Sequence, residues 1–214
     1  RKKPTKDFQG NTKISYGSWD TYKGTMDISG GLNESKSIRG KLVASYGEGD
    51  NQQDRYHQDN SLVYGALDFD LSDNTLLTTS LSHQKVKAND VAVHHFISVD
   101  KKGDNQNIFG RHDNPAANWT YTDTEKTNLS LGLEHYFNND WKAKLAGNWK
   151  RPEQDIMFSA FSRISGDLYQ NTQRYKLDNK QDSYDVSLSG PYSLFGRNHE
   201  LMLGADYRKF ENRT

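Results

Sequence analysis

Between Gly65 and Leu81 the chain reads GALDFDLSDNTLLTTSL, in which apolar residues alternate with acidic or hydroxylated ones on both sides of a Ser72-Asp73-Asn74 turn. Successive side chains of an extended strand point to opposite faces, so this stretch is a hairpin with one greasy and one polar side. The same period of two recurs in nine segments: 7–18, 20–32, 37–46, 60–71, 75–84, 126–137, 141–150, 182–190 and 199–210. Tyr22, Met26 and Ile28 alternate with Lys23, Thr25, Asp27 and Ser29, and Trp141, Ala143, Leu145 and Trp149 with Lys142, Lys144, Asn148 and Lys150. No segment carries a convincing helical period. The chain is therefore expected to be all-β and built from consecutive antiparallel hairpins.

Alternation fits two architectures. In a soluble sandwich the apolar faces turn inward onto one another. In a membrane barrel they turn outward to lipid, and the polar faces line a wet interior. The connections favour the barrel. Asn33–Lys36, Ser72–Asn74, Asn138–Asp140 and the Pro191–Asn198 stretch are short and fall at one end of the sheet. The segments 47–59, 85–125 and 151–181 are long and polar and fall at the other, where Ser18-Trp19-Asp20 is the one short exception. The apolar parity adds a second argument. Tyr16, Tyr22, Tyr46, Trp149 and Tyr207 lie at its long-loop end and Phe69, Phe137 and Trp141 at its short-turn end, with aliphatic residues between. Aromatic belts around an aliphatic band suit a bilayer, because amphipathic rings settle at headgroup depth. On this reading Leu67, Phe69 and Leu71 face hydrocarbon, and Asp68 and Asp70 face water.

Composition agrees. Only 33% of residues are hydrophobic, low for a compact soluble core, yet 12 Tyr, 9 Phe and 4 Trp are too many for a disordered chain. The 28 basic and 28 acidic residues cancel, which argues against a nucleic-acid partner. There is no cysteine, so thiolate metal sites, disulfides and cysteine nucleophiles are excluded. The start at Arg1-Lys2-Lys3-Pro4-Thr5 is expected to be that of a mature or excised piece.

Several stretches resemble a known family. RKKPT before the first strand, YGSWDTYKGTMDISGGLNESKSIRGKLVASYGEGD, YGALDFDLSDNTLLTTSLSHQ and SLFGRNHELMLGADYRK are similar, in this order, to the TonB-dependent outer-membrane siderophore receptors. NPAANWTYTDTE points to the ferric-coprogen and ferripyoverdine branch. The resemblance implies an up-and-down transmembrane barrel, of which about nine strands out of 22 are present. It assigns residues 1–6 to the end of a plug or linker and 7–214 to the N-terminal portion of the barrel. It further implies uptake of a ferric siderophore, of hydroxamate type, across the bacterial outer membrane, with TonB engaged through a plug segment absent here. Outer-membrane lipid is the remaining partner. No cofactor is expected, iron arriving only as the chelated ferric siderophore. The alternatives are a passive porin-like barrel and a soluble carbohydrate-binding β-sandwich.

The resemblance implies that aromatic residues above the barrel cradle the ferric complex, a flat ring packing against the chelate. Trp119 is the first candidate, followed by Tyr121 and Phe96, with Phe158 and Tyr169 from the neighbouring wall. Each has a plainer reading, as an interfacial belt residue or as packing within a loop. No protein ligand for metal is expected, because the adjacent His94 and His95 point oppositely on an extended chain. His57 with Asp59 and His112 with Asp113 are the only pairs that invite a catalytic reading. No nucleophile joins either, so the chain is not expected to be an enzyme.

Overall fold

The computed structural model describes residues 2–92, 100, 102–105, 110–165 and 167–213. Nine strands follow one another: β1 (Gln9–Gly17), β2 (Thr21–Gly31), β3 (Ile38–Asp50), β4 (His57–Ser72), β5 (Thr75–Asn89), β6 (Tyr121–Tyr136), β7 (Lys142–Ile164), β8 (Asp167–Leu194) and β9 (Arg197–Arg213). They form one sheet in chain order, every neighbour antiparallel. No helix occurs among the described residues. A single layer rules out the sandwich, whose leucines would interdigitate between two sheets.

Register puts the expected residues on common faces. Met26 lies opposite Ala44, Ala44 opposite Val63, and Val63 opposite His83, all on the apolar side. Leu81, Leu129 and Trp149 continue that side, as do Tyr184 and Tyr207 farther along. Short turns close the opposite end. Between β8 and β9 the turn is Phe195-Gly196, both at positive φ, as the twist of a two-residue hairpin requires.

Burial is inverted relative to a soluble protein. Ser29, Arg39, Asp68, Thr78 and Ser80, all on the polar face, are buried. Met26, Leu42, Leu67, Leu81, Leu131, Leu145 and Leu203, all on the apolar face, are exposed. Such a wall is stable only if hydrocarbon covers its leucines. The band between the belts has a regular height. Trp141, immediately before β7, and Trp149 on it, Tyr184 and Tyr192 on β8, and His199 and Tyr207 on β9 each stand eight residues apart. Eight residues span about 26 Å along a strand, close to the band of outer-membrane barrels. The belt is bonded internally. Trp149 Nε1 donates to the Tyr184 hydroxyl at 3.1 Å, and the Tyr184 ring stacks on Tyr207 with centroids 6.5 Å apart. Two glycines make room for the indoles. A Cβ at Gly147 would lie 2.8 Å from the Trp149 ring, and one at Gly190 2.5 Å from that of Trp141.

The strands are longer than their alternation predicts. Strand extends into all three segments expected as loops: β3 runs on to Asp50 and β4 begins at His57, β5 runs to Asn89 and β6 begins at Tyr121, and 151–181 is almost wholly strand, with β7 and β8 reaching Ile164 and Asp167. Likewise the Pro191–Asn198 connection shrinks, because β8 runs to Leu194 and β9 starts at Arg197. Above the belt both faces meet water, so the apolar/polar rhythm disappears while the ladder persists. β7 and β8 contain 23 and 28 residues, whereas about 10 suffice to cross a bilayer.

Leu145 lies midway between Trp141 and Trp149 on the apolar face. Leu145→Arg in the full-length protein should destabilise the folded wall by about 2–4 kcal/mol. Asn148→Arg, on the polar face, should change it by less than about 1 kcal/mol. Denaturant titration of folding into lipid vesicles reads both. Equal costs would mean that Leu145 does not face lipid.

Candidate functional site

The polar face carries a cross-strand ionic network. Asp27 receives Lys41 Nζ at 2.5 Å and Lys2 Nζ at 3.0 Å. Arg39 grips both oxygens of Asp70, and Glu134 receives Lys142 at 2.9 Å and Lys144 at 3.7 Å. Lys41 and Arg39 are nearly covered, with side-chain exposures of 10% and 8%. Paired charges of this kind are held at little cost where water reaches the face, and they leave it hydrophilic. A stretch of chain lies across this face. Tyr64 donates to Lys2 O at 2.8 Å, Thr5 N donates to Ser29 Oγ at 2.8 Å, Gly31 N donates to Lys6 O at 3.1 Å, and Pro4 is buried.

The long-loop end gathers the aromatic candidates unequally. Trp119 sits in a turn at the foot of β6, about one-third exposed at 38%. That turn is closed by Thr120 N donating to Ala117 O at 3.0 Å, and Thr120 itself is fully buried. Phe158 and Tyr169 lie on the lumen side of the tall β7–β8 hairpin, opposite Gln173 and Ser162. Phe158 is buried and stacks on Tyr175 with centroids 5.7 Å apart and planes inclined by 25°. The Tyr175 hydroxyl donates to Gln173 Oε1 at 2.9 Å, so an aromatic step with an amide beside it faces inward above the membrane. Tyr169, nearer the hairpin tip, is half exposed.

Tyr121 looks the other way. It pairs in register with Met157 on the outer face and donates to Asp155 Oδ1 at 3.0 Å. Asp155 is also held by Arg174 through both oxygens, at 2.9 and 2.5 Å, and by Lys176 at 3.7 Å. The Arg174 guanidinium, more than any other neighbour, pulls the Asp155 carboxyl down to about 2. Phe96, with His94 and His95, lies outside the described residues.

The suggested catalytic pairs are not formed. His57 Nδ1 is bonded to Asp50 Oδ1 at 2.8 Å, and His112 Nδ1 donates to the Gln52 carbonyl at 2.9 Å. Tyr175, Gln173 and Asp155 were missed by sequence reasoning. The only sign of them was the length of polar, Tyr-containing sequence between 151 and 181.

Comparison with known proteins places this wall. No family model matches the chain. It is 31% identical over 233 residues to the ferripyoverdine receptor of Pseudomonas aeruginosa, an alignment covering 100% of the chain and 27% of that receptor. To the ferric-pyoverdine BN7/BN8 receptor of Pseudomonas putida it is 33% identical over 218 residues, again covering 100% of the chain and 27% of the relative. The crystal structure of the P. aeruginosa ferripyoverdine receptor bound to ferripyoverdine superposes with a TM-score of 0.91 at 31% identity, covering 98% of this chain and 28% of that one. The open form of the ferric-catecholate import receptor Fiu from E. coli shares the fold alone, with a TM-score of 0.82 at 15% identity over 98% of this chain and 35% of that one. The chain thus spans about a quarter of the length of the curated relatives it matches. These relatives are outer-membrane receptors rather than enzymes, and the nine strands match a length of their barrel wall.

A test of the outer-face node follows from its charge. A carboxyl lowered in the fold stabilises it above the usual carboxylate value of 3.8, and that contribution fades as pH falls through about 2. Asp155→Asn at pH 7 should speed amide hydrogen exchange near Asp155 and Arg174 roughly fivefold, the factor for about 1 kcal/mol at a half-exposed pair. The difference between variant and parent should shrink as the pH approaches 2. Unchanged exchange at pH 7 would remove Asp155 as the brace of the hairpin.

Proposed function

We propose that this length of TonB-dependent siderophore-receptor wall serves the uptake of a ferric siderophore across the bacterial outer membrane, and that its long-loop end is part of the capture site. The observation that carries the proposal is similarity to ferripyoverdine receptors along the whole of this chain, joined to inward-facing aromatic groups on strands that rise well above the bilayer. Capture would rest on flat rings packing against the chelate and on amide and hydroxyl groups meeting its oxygens. Trp119, Tyr121, Phe96, Phe158 and Tyr169 are the residues proposed to contact it. Tyr121 would do so only if the ligand or a neighbouring loop reaches the outer side of β6. A hydroxamate-containing siderophore is the proposed class, on resemblance alone. Iron would enter with its coordination sphere filled by the chelator, which leaves the protein to recognise a surface and not a bare ion.

Residues 1–6 are proposed to be the tail of a plug, and 7–214 the start of the barrel. The run of bonds that holds Lys2, Thr5 and Lys6 against the lumen face supports this reading, because a plug must leave the interior along such a path. Energy for transport would come through TonB, bound by a plug segment outside this chain. One relative's structure is a complex with pyocin S2, and the same loop end would be the place for a protein of that kind to dock.

Trp119→Ala in the complete receptor should weaken ferripyoverdine binding by about tenfold, the cost of about 1.4 kcal/mol that a central aromatic contact carries. Titration of ligand-free receptor with ferripyoverdine measures it. Unchanged affinity would strike Trp119 from the site.

A further inference from the structure

Trp119 is set in a segment that does not stand alone. Residues 110–120 return towards β6 along the connection between β3 and β4, and the two loops are bonded at several points. Asp54 N donates to His112 O at 2.8 Å, and His112 Nδ1 donates to Gln52 O at 2.9 Å. The Nη2 group of Arg55 donates to two carbonyls, Asn114 O at 3.1 Å and Ala116 O at 2.5 Å. Beyond Arg55 the bonds run on to the strand ends. Asn114 Nδ2 donates to Asp90 O at 2.8 Å, Ala116 N donates to Asn114 Oδ1 at 2.9 Å, and Asp90 N donates to Thr120 O at 2.8 Å. Trp119 occupies the turn between Ala117 and Thr120, at the end of this series.

Two features single out Arg55 within it. Its backbone is left-handed, with φ of 66°. An arginine resists that conformation, at a cost of order 1 kcal/mol, unless its surroundings hold it there. Its guanidinium is also the only side chain among these bonds to join one loop to two carbonyls of the other. Both bonds leave the one Nη2, whose two hydrogens are fixed in the guanidinium plane, whereas those of a lysine ammonium turn on a flexible stem. Ala116, whose carbonyl it takes, is buried, so that bond is shielded from water on its acceptor side.

We infer that Arg55 is a positioning residue: its guanidinium fastens the 110–120 segment to the 51–56 loop and thereby fixes Trp119 before any siderophore arrives. The two loops then act as one preformed body, and the cost of ordering Trp119 is met on folding and not on binding. This rests on the reading of Trp119 as a ligand contact, but the fixing of Trp119 is measurable without ligand.

The test uses the complete receptor labelled with 5-fluorotryptophan, the Trp119 resonance being assigned by its loss in Trp119→Phe. In ligand-free receptor, Arg55→Ala should shift and narrow that resonance, leave those of Trp141 and Trp149 in place, and leave the heat-modifiable gel shift of the folded barrel intact. Arg55→Lys should restore part of the parent line. Asn114→Ala, which cuts the same series on its far side, should mimic Arg55→Ala. With ferripyoverdine as probe, Arg55→Ala should raise Kd about fivefold, chiefly through faster dissociation, and should add no further loss to Trp119→Ala. An unmoved Trp119 resonance in Arg55→Ala overturns the inference whatever the affinity does. A moved resonance with an affinity indifferent to Trp119→Ala upholds the fastening by Arg55 and overturns the role of Trp119 in binding.

Discussion

Hydrocarbon offers no hydrogen bonds, and most of this molecule follows from that fact. A backbone that crosses a bilayer must pair every N–H and C=O within the protein, and a sheet does so only strand against strand. The nine-stranded antiparallel ladder meets the requirement along all its internal strands. Pairing fixes the pleat, and the pleat sorts side chains. Each strand must then give one face to lipid and the other to the interior. The charges of Asp27, Lys41, Arg39 and Asp70 are tolerable because the pleat puts them all on the wet side. At its outer edges the ladder is open: among the described residues the far sides of β1 and β9 have no strand partner. In a membrane such edges must meet further strands.

What the sequence revealed depended on how much contrast the environment imposed on each residue. Between the belts, lipid on one side and water on the other force strict alternation, so the faces of Leu67 and Asp68, or Leu145 and Lys144, were legible before any coordinates. Above the belt the contrast is lost. Asp155, Arg174 and Lys176 all face outward there, and no period of two marks the strands that bear them. The tall β7–β8 hairpin therefore passed for a loop. The candidate site was legible in kind and less so in geometry. Phe158 and Tyr169 face the lumen, whereas Tyr121 does not, because one residue of register decides the side and only pairing reveals the register.

The loop contacts were the least legible of all. Arg55 lies 59 and 61 residues from the carbonyls it binds, and a main-chain oxygen leaves no mark in the sequence. Side-chain-to-backbone bonds of this kind give shape to loops without demanding a particular residue at the acceptor position. Above the belt, then, arginines on carbonyls and carboxylates add to the ladder, while between the belts the ladder works with the lipid.

The eight-residue interval between aromatic rows on β7, β8 and β9 has a consequence for how such a wall can evolve. Moving a row by a single residue would swing its rings into the aqueous channel. Band height can therefore change only by whole pleats, two residues or about 7 Å at a time along each strand, and neighbouring strands must step together. The wall is a ruler with coarse gradations. Finer differences in membrane thickness have to be absorbed by the inclination of the strands or by the lipids themselves.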